Sequence, residues 1–180
     1  MIEKAKCFAH DAHNLVKQVR KYSGLPYWVH TDEVAEIVAG VTDDPEIIAA
    51  AHLHDVAEDV DVEIYTLRGI KDIFGYRVAD LVNDLTDVYT KQNFPRYNRA
   101  ARKRMEADRL ALVHPDAQTI KYADFLSNTK DILVNDPGFA EVYLDEKATI
   151  LSRMTQGNKI LFDRAYNLNF SIIESILNKK

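Results

Sequence analysis

The sequence predicts an all-α protein, a compact single-domain bundle of helices spanning residues 1–180. Most segments place apolar residues three and four positions apart, which is the period of an amphipathic helix. Only 6 glycines and 5 prolines interrupt the 180 residues. No pair of alternating segments joined by a hairpin turn is evident, so we expect no sheet. Without a repeat or a linker, a chain of this length fits one domain with a sizeable core.

Composition and charge limit the classes of protein to which this chain could belong. Apolar residues make up 47% and charged residues 28% of the chain, as in folded globular proteins. The formal net charge of −5 argues against a nucleic-acid partner. A single cysteine, Cys7, excludes an internal disulfide. We expect no membrane segment, because no apolar run approaches about 18 residues. We expect no signal peptide, because charged residues interrupt the apolar positions of the N-terminus. A cytoplasmic location is therefore expected.

Helix boundaries follow from capping residues and breakers. The apolar residues of 3–19 recur with the period of a helix, which predicts a helix over this range. The glycine and proline of "YSGLPYWVH" (22–30) predict a loop. Thr31 is a candidate cap for a helix that Gly40 ends, and Asp44-Pro45 begins a helix that continues through residue 59. Further helices are expected over 64–74, 76–85 and 98–113, from Pro115 through "QTIKYADFLSNTKDIL", and twice after the turn at 135–138.

An acidic cluster ends the helix that begins at Pro45. In "AAHLHDVAED" (50–59), a continuous helix would put His54 beside Glu58, and Asp55 beside Glu58 and Asp59. Carboxylates this close repel one another unless a cation lies among them. A solvated acidic helix end is the alternative, although the helix dipole disfavours it. His52 lies on another face and is expected in the core or in a cap.

Two remote residues could complete a metal site. His30 ends the loop just before a helix, and Asp124 in "TIKYADFLSN" faces the same way as Asn128 and Asp131. Each of the two alone is more commonly structural. Together with His54 and Asp55 they would form a mixed nitrogen and oxygen site, which suits Mn²⁺ or Fe²⁺ better than a closed structural zinc.

The order His30, His54-Asp55, Asp124 resembles the H…HD…D signature of HD-domain metal-dependent phosphohydrolases. "RKYSGLPYWVH", "LHDVAED" and "IKYADFLSN" are similar to three blocks of the RelA/SpoT hydrolase domain, and small stand-alone members of that group are about this length. Two positions depart from the pattern. Thr31 stands where proline is usual, and Trp28 where isoleucine is usual. Both flank the site and leave the exact substrate open.

The resemblance implies roles for particular residues. A divalent metal, usually Mn²⁺ with Fe²⁺, Co²⁺ and Zn²⁺ as alternatives, would be bound by His30, His54, Asp55 and Asp124. Glu58 and Asp59 match the pair that orients and activates water. The implied substrate contacts are Arg20, Lys21, Asn128 and, by a looser alignment, Tyr143.

Side-chain chemistry adds further candidates. Lys121 is a cation near Asp124, and Tyr27 could stack on a base or lie buried. We expect Trp28 to be buried. The basic helix 98–113 carries Arg99, Arg102, Lys103 and Arg104. This run could be a solvated, ion-paired face or could contact the substrate.

The expected function is removal of the 3′-diphosphate from guanosine tetra- or pentaphosphate, or from a similar ribose-phosphate nucleotide such as NADPH. Alternatives are an HD-type 5′-nucleotidase or deoxynucleoside triphosphate hydrolase, and a non-catalytic regulator that binds metal and nucleotide. The length leaves no room for an alarmone synthetase domain, so we expect hydrolysis alone. The sequence leaves the oligomeric state open.

Overall fold

The computed structural model describes residues 1–21 and 23–177. Within these ranges the regular elements are α-helices and one 3₁₀ turn, and the only β-type pairing is an isolated bridge between Val19 and Pro26. The predicted all-α class is therefore confirmed. The chain divides into two compact units, Met1–Thr86 and Asp87–Lys180. A single domain over residues 1–180 stays a prediction.

The first unit consists of short helices. Its elements are α1 (Ile2–Leu15), α2 (Trp28–Ala39), α3 (Pro45–Leu53), α4 (Val56–Asp59), a 3₁₀ turn (Glu63–Tyr65), α5 (Leu67–Phe74) and α6 (Tyr76–Leu85). Helix α3 packs against α1, α2 and α6, and its residues Ile47–Leu53 are all buried. Its start agrees with the prediction, since Asp44 Oδ1 accepts the Glu46 N–H at 2.9 Å. The buried helix α3 thus leads directly to His54, which is buried, and to Asp55, which is partly accessible.

Helix α1 ends at Leu15, so the prediction of a helix to residue 19 was wrong. Lys17 adopts φ +52°, and the Gln18 N–H donates to the His13 carbonyl at 2.9 Å. This bond and one from the Lys17 N–H to the Asn14 carbonyl form a Schellman motif, whose left-handed residue is usually glycine. Because this position is usually glycine and here is lysine, the sequence does not indicate that the helix ends at this point. Arg20 therefore lies in the loop that follows α1 and not in its last turn.

Helix α2 begins at Trp28, so Thr31 is not its cap. The Pro26 and Tyr27 carbonyls accept the N–H groups of Val29 and His30 at 3.1 and 2.9 Å. These bonds begin the helix inside the predicted loop, and Thr31 Oγ1 donates back to the Trp28 carbonyl. His30 consequently belongs to a helical first turn, which holds its backbone more firmly than a loop would.

The predicted continuous helix through residue 59 is interrupted. Helix α3 ends at Leu53 and α4 begins at Val56, and between them Asp55 has φ −103° and ψ −4°. Helical bonding resumes where the Asp59 N–H donates to the Asp55 carbonyl at 3.0 Å. His54 and Asp55 thus lie at a junction of two helices, and helical periodicity alone does not give their neighbours.

His52 is buried, as predicted, with its Nδ1 3.2 Å from Asp32 Oδ1. Burial lowers the pKa of His52 from 6.5 to about 4. The unfolded chain therefore takes up this proton first as the pH falls. The stability that neutral His52 contributes is complete above about pH 6.5 and is lost between about pH 6.5 and 4.

The expected result is that His52→Gln flattens the pH dependence of the unfolding free energy across that window. One pKa unit corresponds to about 1.4 kcal/mol. Urea unfolding of metal-free protein at several pH values measures the effect, and His114→Gln, at an exposed histidine, is the control. Parallel curves for the His52→Gln variant and the unmodified chain would show that His52 does not account for the slope.

The second unit is built on one long helix. Its elements are α7 (Arg99–Leu110), α8 (Pro115–Asn135), α9 (Pro137–Leu151) and α10 (Lys159–Leu177). Helix α8 packs against α9 and α10, and α7 packs against α9. Tyr122 of α8 is fully buried and donates its hydroxyl to the Met154 carbonyl at 2.6 Å. None of the described helices is long and apolar enough to cross a membrane.

Candidate functional site

A cluster of two histidines and one aspartate lies in the first unit. His30 comes from α2, and His54 and Asp55 from the junction of α3 and α4. One potential ligand atom from each lies within 4.8 Å of the others. Asp55 Oδ2 is 3.0 Å from His54 Nε2 and 3.8 Å from His30 Nε2. Both histidines are 1% exposed, whereas Asp55 is partly accessible. The structure thus brings together three of the four predicted metal ligands.

The donor chemistry of this cluster fits a divalent cation. His54 Nδ1 lies 2.9 Å from the Ala51 carbonyl, which can only accept a hydrogen bond. Nδ1 therefore carries the proton of the neutral ring, and Nε2 keeps its lone pair on the side of Asp55. Histidine ligands are commonly oriented in this way by a hydrogen bond from the second ring nitrogen.

Tyr27 supports the cluster from the loop. Its hydroxyl donates to Asp55 Oδ2 at 2.6 Å, and the centre of its ring lies 4.8 Å from that of His13 and 5.5 Å from that of His30. The hydroxyl thus has a polar partner near the cluster. Contact between Tyr27 and a substrate base stays a prediction. Trp28 is half-buried against the His10 ring.

Glu58 and Asp59, the predicted water-activating pair, lie on the short helix α4 and are both exposed. Asp59 Oδ2 accepts a hydrogen bond from Gln18 Nε2 at 2.7 Å. Partial desolvation and the charge of Asp55 raise the pKa of Asp59, and the Gln18 hydrogen bond opposes that rise. The two carboxylates thus lie in the last positions of α4, the short helix that follows Asp55, and Asp59 is close enough for the charge of Asp55 to act on it.

The sequence interpretation missed two polar residues beside this cluster, His13 and Gln18. His13 is completely buried, and its Nδ1 lies 2.7 Å from Gln18 Oε1. Burial lowers the pKa of His13. Its place next to Ala9 and Ala12 on the apolar face of α1 is the signal that could have identified it. Gln18 offers no such signal, because its position depends on the left-handed turn at Lys17.

The two predicted basic contacts in the loop differ in exposure. Arg20 is 6% exposed, and its backbone closes a turn with Gly24 and Leu25 through hydrogen bonds of 3.0 and 2.8 Å. Lys21 is exposed. Their contact with a substrate stays a prediction.

In the second unit, Asp124 is held by two donors from its own helix. Asn128 Nδ2 donates to Asp124 Oδ1 at 2.5 Å, and Lys121 Nζ lies 3.0 Å from Asp124 Oδ2. The predicted common face of Asp124 and Asn128 is therefore present. Asp124 is 4% exposed, and its charge is compensated within α8. Carboxylate oxygens have further lone pairs, so these bonds are compatible with a metal. Asp124 stays a predicted ligand.

Tyr143 and a lysine that the sequence did not single out lie on α9. The Tyr143 ring is buried and stacks on Phe125, with centroids 5.9 Å apart. Lys147 Nζ lies 5.1 Å from the centre of the Tyr143 ring and 5.6 Å from that of Phe125. Burial, together with the charge of Lys121, lowers the pKa of Lys147 to about 8. Its spacing of four residues from Tyr143 is the only sequence signal for this contact.

The basic run of helix 98–113 is partly ion-paired within its unit. Arg99 donates to both oxygens of Glu146 at 2.6 and 2.8 Å, and Lys103 Nζ lies 3.2 Å from Asp87. Burial raises the pKa of Asp87, but nearby lysines, including Lys121 and Lys103, bring it below its usual value. Asp87 thus contacts Lys103 and also interacts with the charge of Lys121.

Comparisons with known proteins agree with this fold. Residues 5–136 match the HD domain family. The guanosine-3′,5′-bis(diphosphate) 3′-pyrophosphohydrolase MESH1 of Drosophila melanogaster is 32% identical over 136 residues, which cover 73% of this chain and 70% of that protein. A solved structure described as "A metazoan ortholog of SpoT hydrolyzes ppGpp and plays a role in starvation responses" has a TM-score of 0.77 and 25% identity. That match covers 93% of this chain and 94% of the other.

Long bacterial relatives match over a smaller part of their length. A probable guanosine-3′,5′-bis(diphosphate) 3′-pyrophosphohydrolase of Synechocystis sp. is 40% identical over 94 residues, 52% of this chain. The chain spans 11% of that protein and 18% of a relative from Aquifex aeolicus.

The chain therefore belongs to the HD-domain family and is of the RelA/SpoT hydrolase-like type. This family implies a divalent metal, and His30, His54 and Asp55 form a possible site for it.

Proposed function

We propose that this protein is a Mn²⁺-dependent hydrolase that removes the 3′-diphosphate from guanosine 3′,5′-bis(diphosphate). The observation that carries the proposal is the cluster of His30, His54 and Asp55, with ligand atoms within 4.8 Å. The activity for which the MESH1 relatives are named supports the choice of substrate.

The cation would be held by the three clustered residues, with Asp124 as the predicted fourth ligand. When bound, it would lower the pKa of a water molecule and withdraw charge from the phosphate under attack. Two imidazoles with two carboxylates suit Mn²⁺, which accepts both kinds of ligand.

Proton transfer is assigned to α4. Glu58 accepts the proton of the attacking water, and Asp59 orients that water by a hydrogen bond. Both carboxylates are exposed, so water reaches them, and α4 begins directly after Asp55. General-base assistance of this kind typically contributes about 10²–10⁴-fold.

Basic and polar side chains bind the rest of the nucleotide. The substrate carries one diphosphate on the 3′ oxygen of the ribose and one on the 5′ oxygen. When the 3′-diphosphate lies at the metal, the 5′-diphosphate must be bound by other residues. Arg20, Lys21 and Lys121 supply positive charge, and Asn128, Tyr27 and Tyr143 supply hydrogen bonds or ring contacts. These charges stabilise phosphoryl oxygens both in the ground state and in the transition state.

A panel of nucleotides incubated with Mn²⁺ and the protein tests the proposal. We expect the 3′-diphosphate substrate to react, and GTP, dATP and GMP to be poor substrates. Release of nucleoside from a 5′-monophosphate would indicate a nucleotidase, and release of triphosphate from dATP a triphosphohydrolase. Cleavage confined to the 2′-phosphate of NADPH would show a phosphohydrolase whose substrate is NADPH and not the alarmone. Binding without turnover on any of them would indicate a regulator.

Arg20→Ala is expected to raise KM for the alarmone by about tenfold or more, as loss of a charged hydrogen bond commonly does, with a smaller change in kcat. Steady-state kinetics measure both parameters. Because Arg20 is buried, its loss could also disturb packing, so Arg20→Lys tests whether a positive charge alone restores substrate binding. Arg96→Ala, at an exposed arginine, is the matched control. A loss confined to kcat would contradict a role in substrate binding.

A further inference from the structure

We propose that Gln18, anchored by His13, is a positioning residue that holds the carboxylate of Asp59 in place for catalysis. The inference rests on the proposed function only in giving Asp59 a catalytic task. The juxtaposition of His13, Gln18 and Asp59 is a feature of the structure itself.

Gln18 is held at four points. Its N–H donates to the His13 carbonyl at 2.9 Å, and its carbonyl accepts the Tyr27 N–H at 3.1 Å. Its side-chain amide lies 2.7 Å from His13 Nδ1 at one end and donates to Asp59 Oδ2 at 2.7 Å at the other. The backbone of Gln18 is therefore fixed on both sides, and its side chain spans from α1 to α4.

Hydrogen-bond chemistry fixes the orientation of the amide. The carboxylate of Asp59 can only accept a hydrogen bond, so the Gln18 NH₂ group must face it. The amide oxygen then faces His13 and requires a proton on Nδ1. A completely buried His13, with a pKa below its usual value, supplies that proton as a neutral ring. The Asp59 carboxylate thus sets the orientation of the amide, and the tautomer of His13 with its proton on Nδ1 complements it.

The hydrogen bond from Gln18 restrains the side chain of Asp59, which lies at the end of a very short helix. Helix α4 has only four residues, and Asp59 is exposed. Gln18 fixes one carboxylate oxygen and leaves the other for water. Because Gln18 also bonds to the backbone of Tyr27, whose hydroxyl reaches Asp55, one residue ties Asp59 to the ligand cluster. Misplacement of a reacting group by about 1 Å can cost about 10²-fold in rate.

Two substitutions test the contact between the Gln18 amide and Asp59. Gln18→Glu keeps the size and the acceptor for His13 but puts a negative oxygen against Asp59. Gln18→Met keeps the length and removes both polar groups. We expect kcat for the alarmone to fall about 10–100-fold in each, with KM nearly unchanged. Gln92→Glu, at an exposed glutamine, is the matched control and should behave as the unmodified protein.

A double-mutant cycle distinguishes positioning from a general structural effect. If Gln18 acts through Asp59, then Gln18→Met should change kcat by less than about threefold in an Asp59→Asn background. A purely structural loss would instead lower kcat by the same factor in both backgrounds. Additive effects would therefore overturn the inference.

A second readout does not depend on the substrate. In protein loaded with diamagnetic Zn²⁺, Asp59→Asn should shift the side-chain NH₂ resonances of Gln18 in a ¹H–¹⁵N spectrum and leave those of Gln92 in place. Unchanged Gln18 resonances would overturn the inference, whatever the activity. Shifted resonances in a protein that does not hydrolyse the alarmone would support the Gln18–Asp59 contact and refute the proposed function.

Discussion

Glu58→Gln is expected to keep its metal and its fold and to lose about 10²–10⁴-fold in kcat. The substitution keeps the shape of the side chain and removes the group that accepts a proton from water. Glu58 is exposed on α4, so the change should cost little stability. Steady-state kinetics on the alarmone, combined with metal analysis of the same preparation, measure the effect.

The matched control is Glu63→Gln, at an exposed glutamate of the 3₁₀ turn that follows α4. It removes the same charge a short distance along the chain and should leave kcat unchanged. If Glu58→Gln keeps nearly full kcat with metal bound, the base lies elsewhere, and Asp59 is the next candidate.

His54→Ala is expected to lose both the metal and the activity. Changes to residues that only orient a metal ligand cost about 10–100-fold in metal affinity, so removal of a ligand should cost more. His54 is 1% exposed and bonded to the Ala51 carbonyl, so circular dichroism should accompany elemental analysis to show that the variant is folded.

Asp124→Ala in the same series tests the fourth ligand. His114→Ala, at an exposed histidine, is the control and should keep its metal. Equal metal content in all of these proteins would refute the assignment of the ligands. Loss in His54→Ala alone would leave a site of first-unit residues and remove Asp124 from it.

Local signals predicted helix boundaries well where the chain carries a strong breaker or cap. The Asp44-Pro45 start and the helix over 76–85, preceded by Gly75, agree with α3 and α6. Where the break depends on backbone geometry that the residue type does not favour, the prediction failed. Lys17 in a left-handed conformation is the clearest case, since lysine is not a residue that usually ends a helix in this way.

The candidate site was predictable to the extent that it follows an ordered pattern. His30, His54 and Asp55 lie in blocks that resemble a known signature, and the structure brings them together. The contacts of Gln18 and Lys147 join segments that are distant in sequence or depend on an irregular turn. Periodicity carries no information about such contacts, because they arise only when the helices pack.

The most direct test of the central claim is hydrolysis of guanosine 3′,5′-bis(diphosphate) in H₂¹⁸O by the Mn²⁺-loaded protein, followed by mass analysis of the products. We predict guanosine 5′-diphosphate without label and pyrophosphate with one ¹⁸O, since water attacks the phosphorus bonded to the 3′ oxygen. A chelator should abolish the reaction. An intact alarmone, release of orthophosphate, or loss of phosphate from the 5′ end would contradict the account.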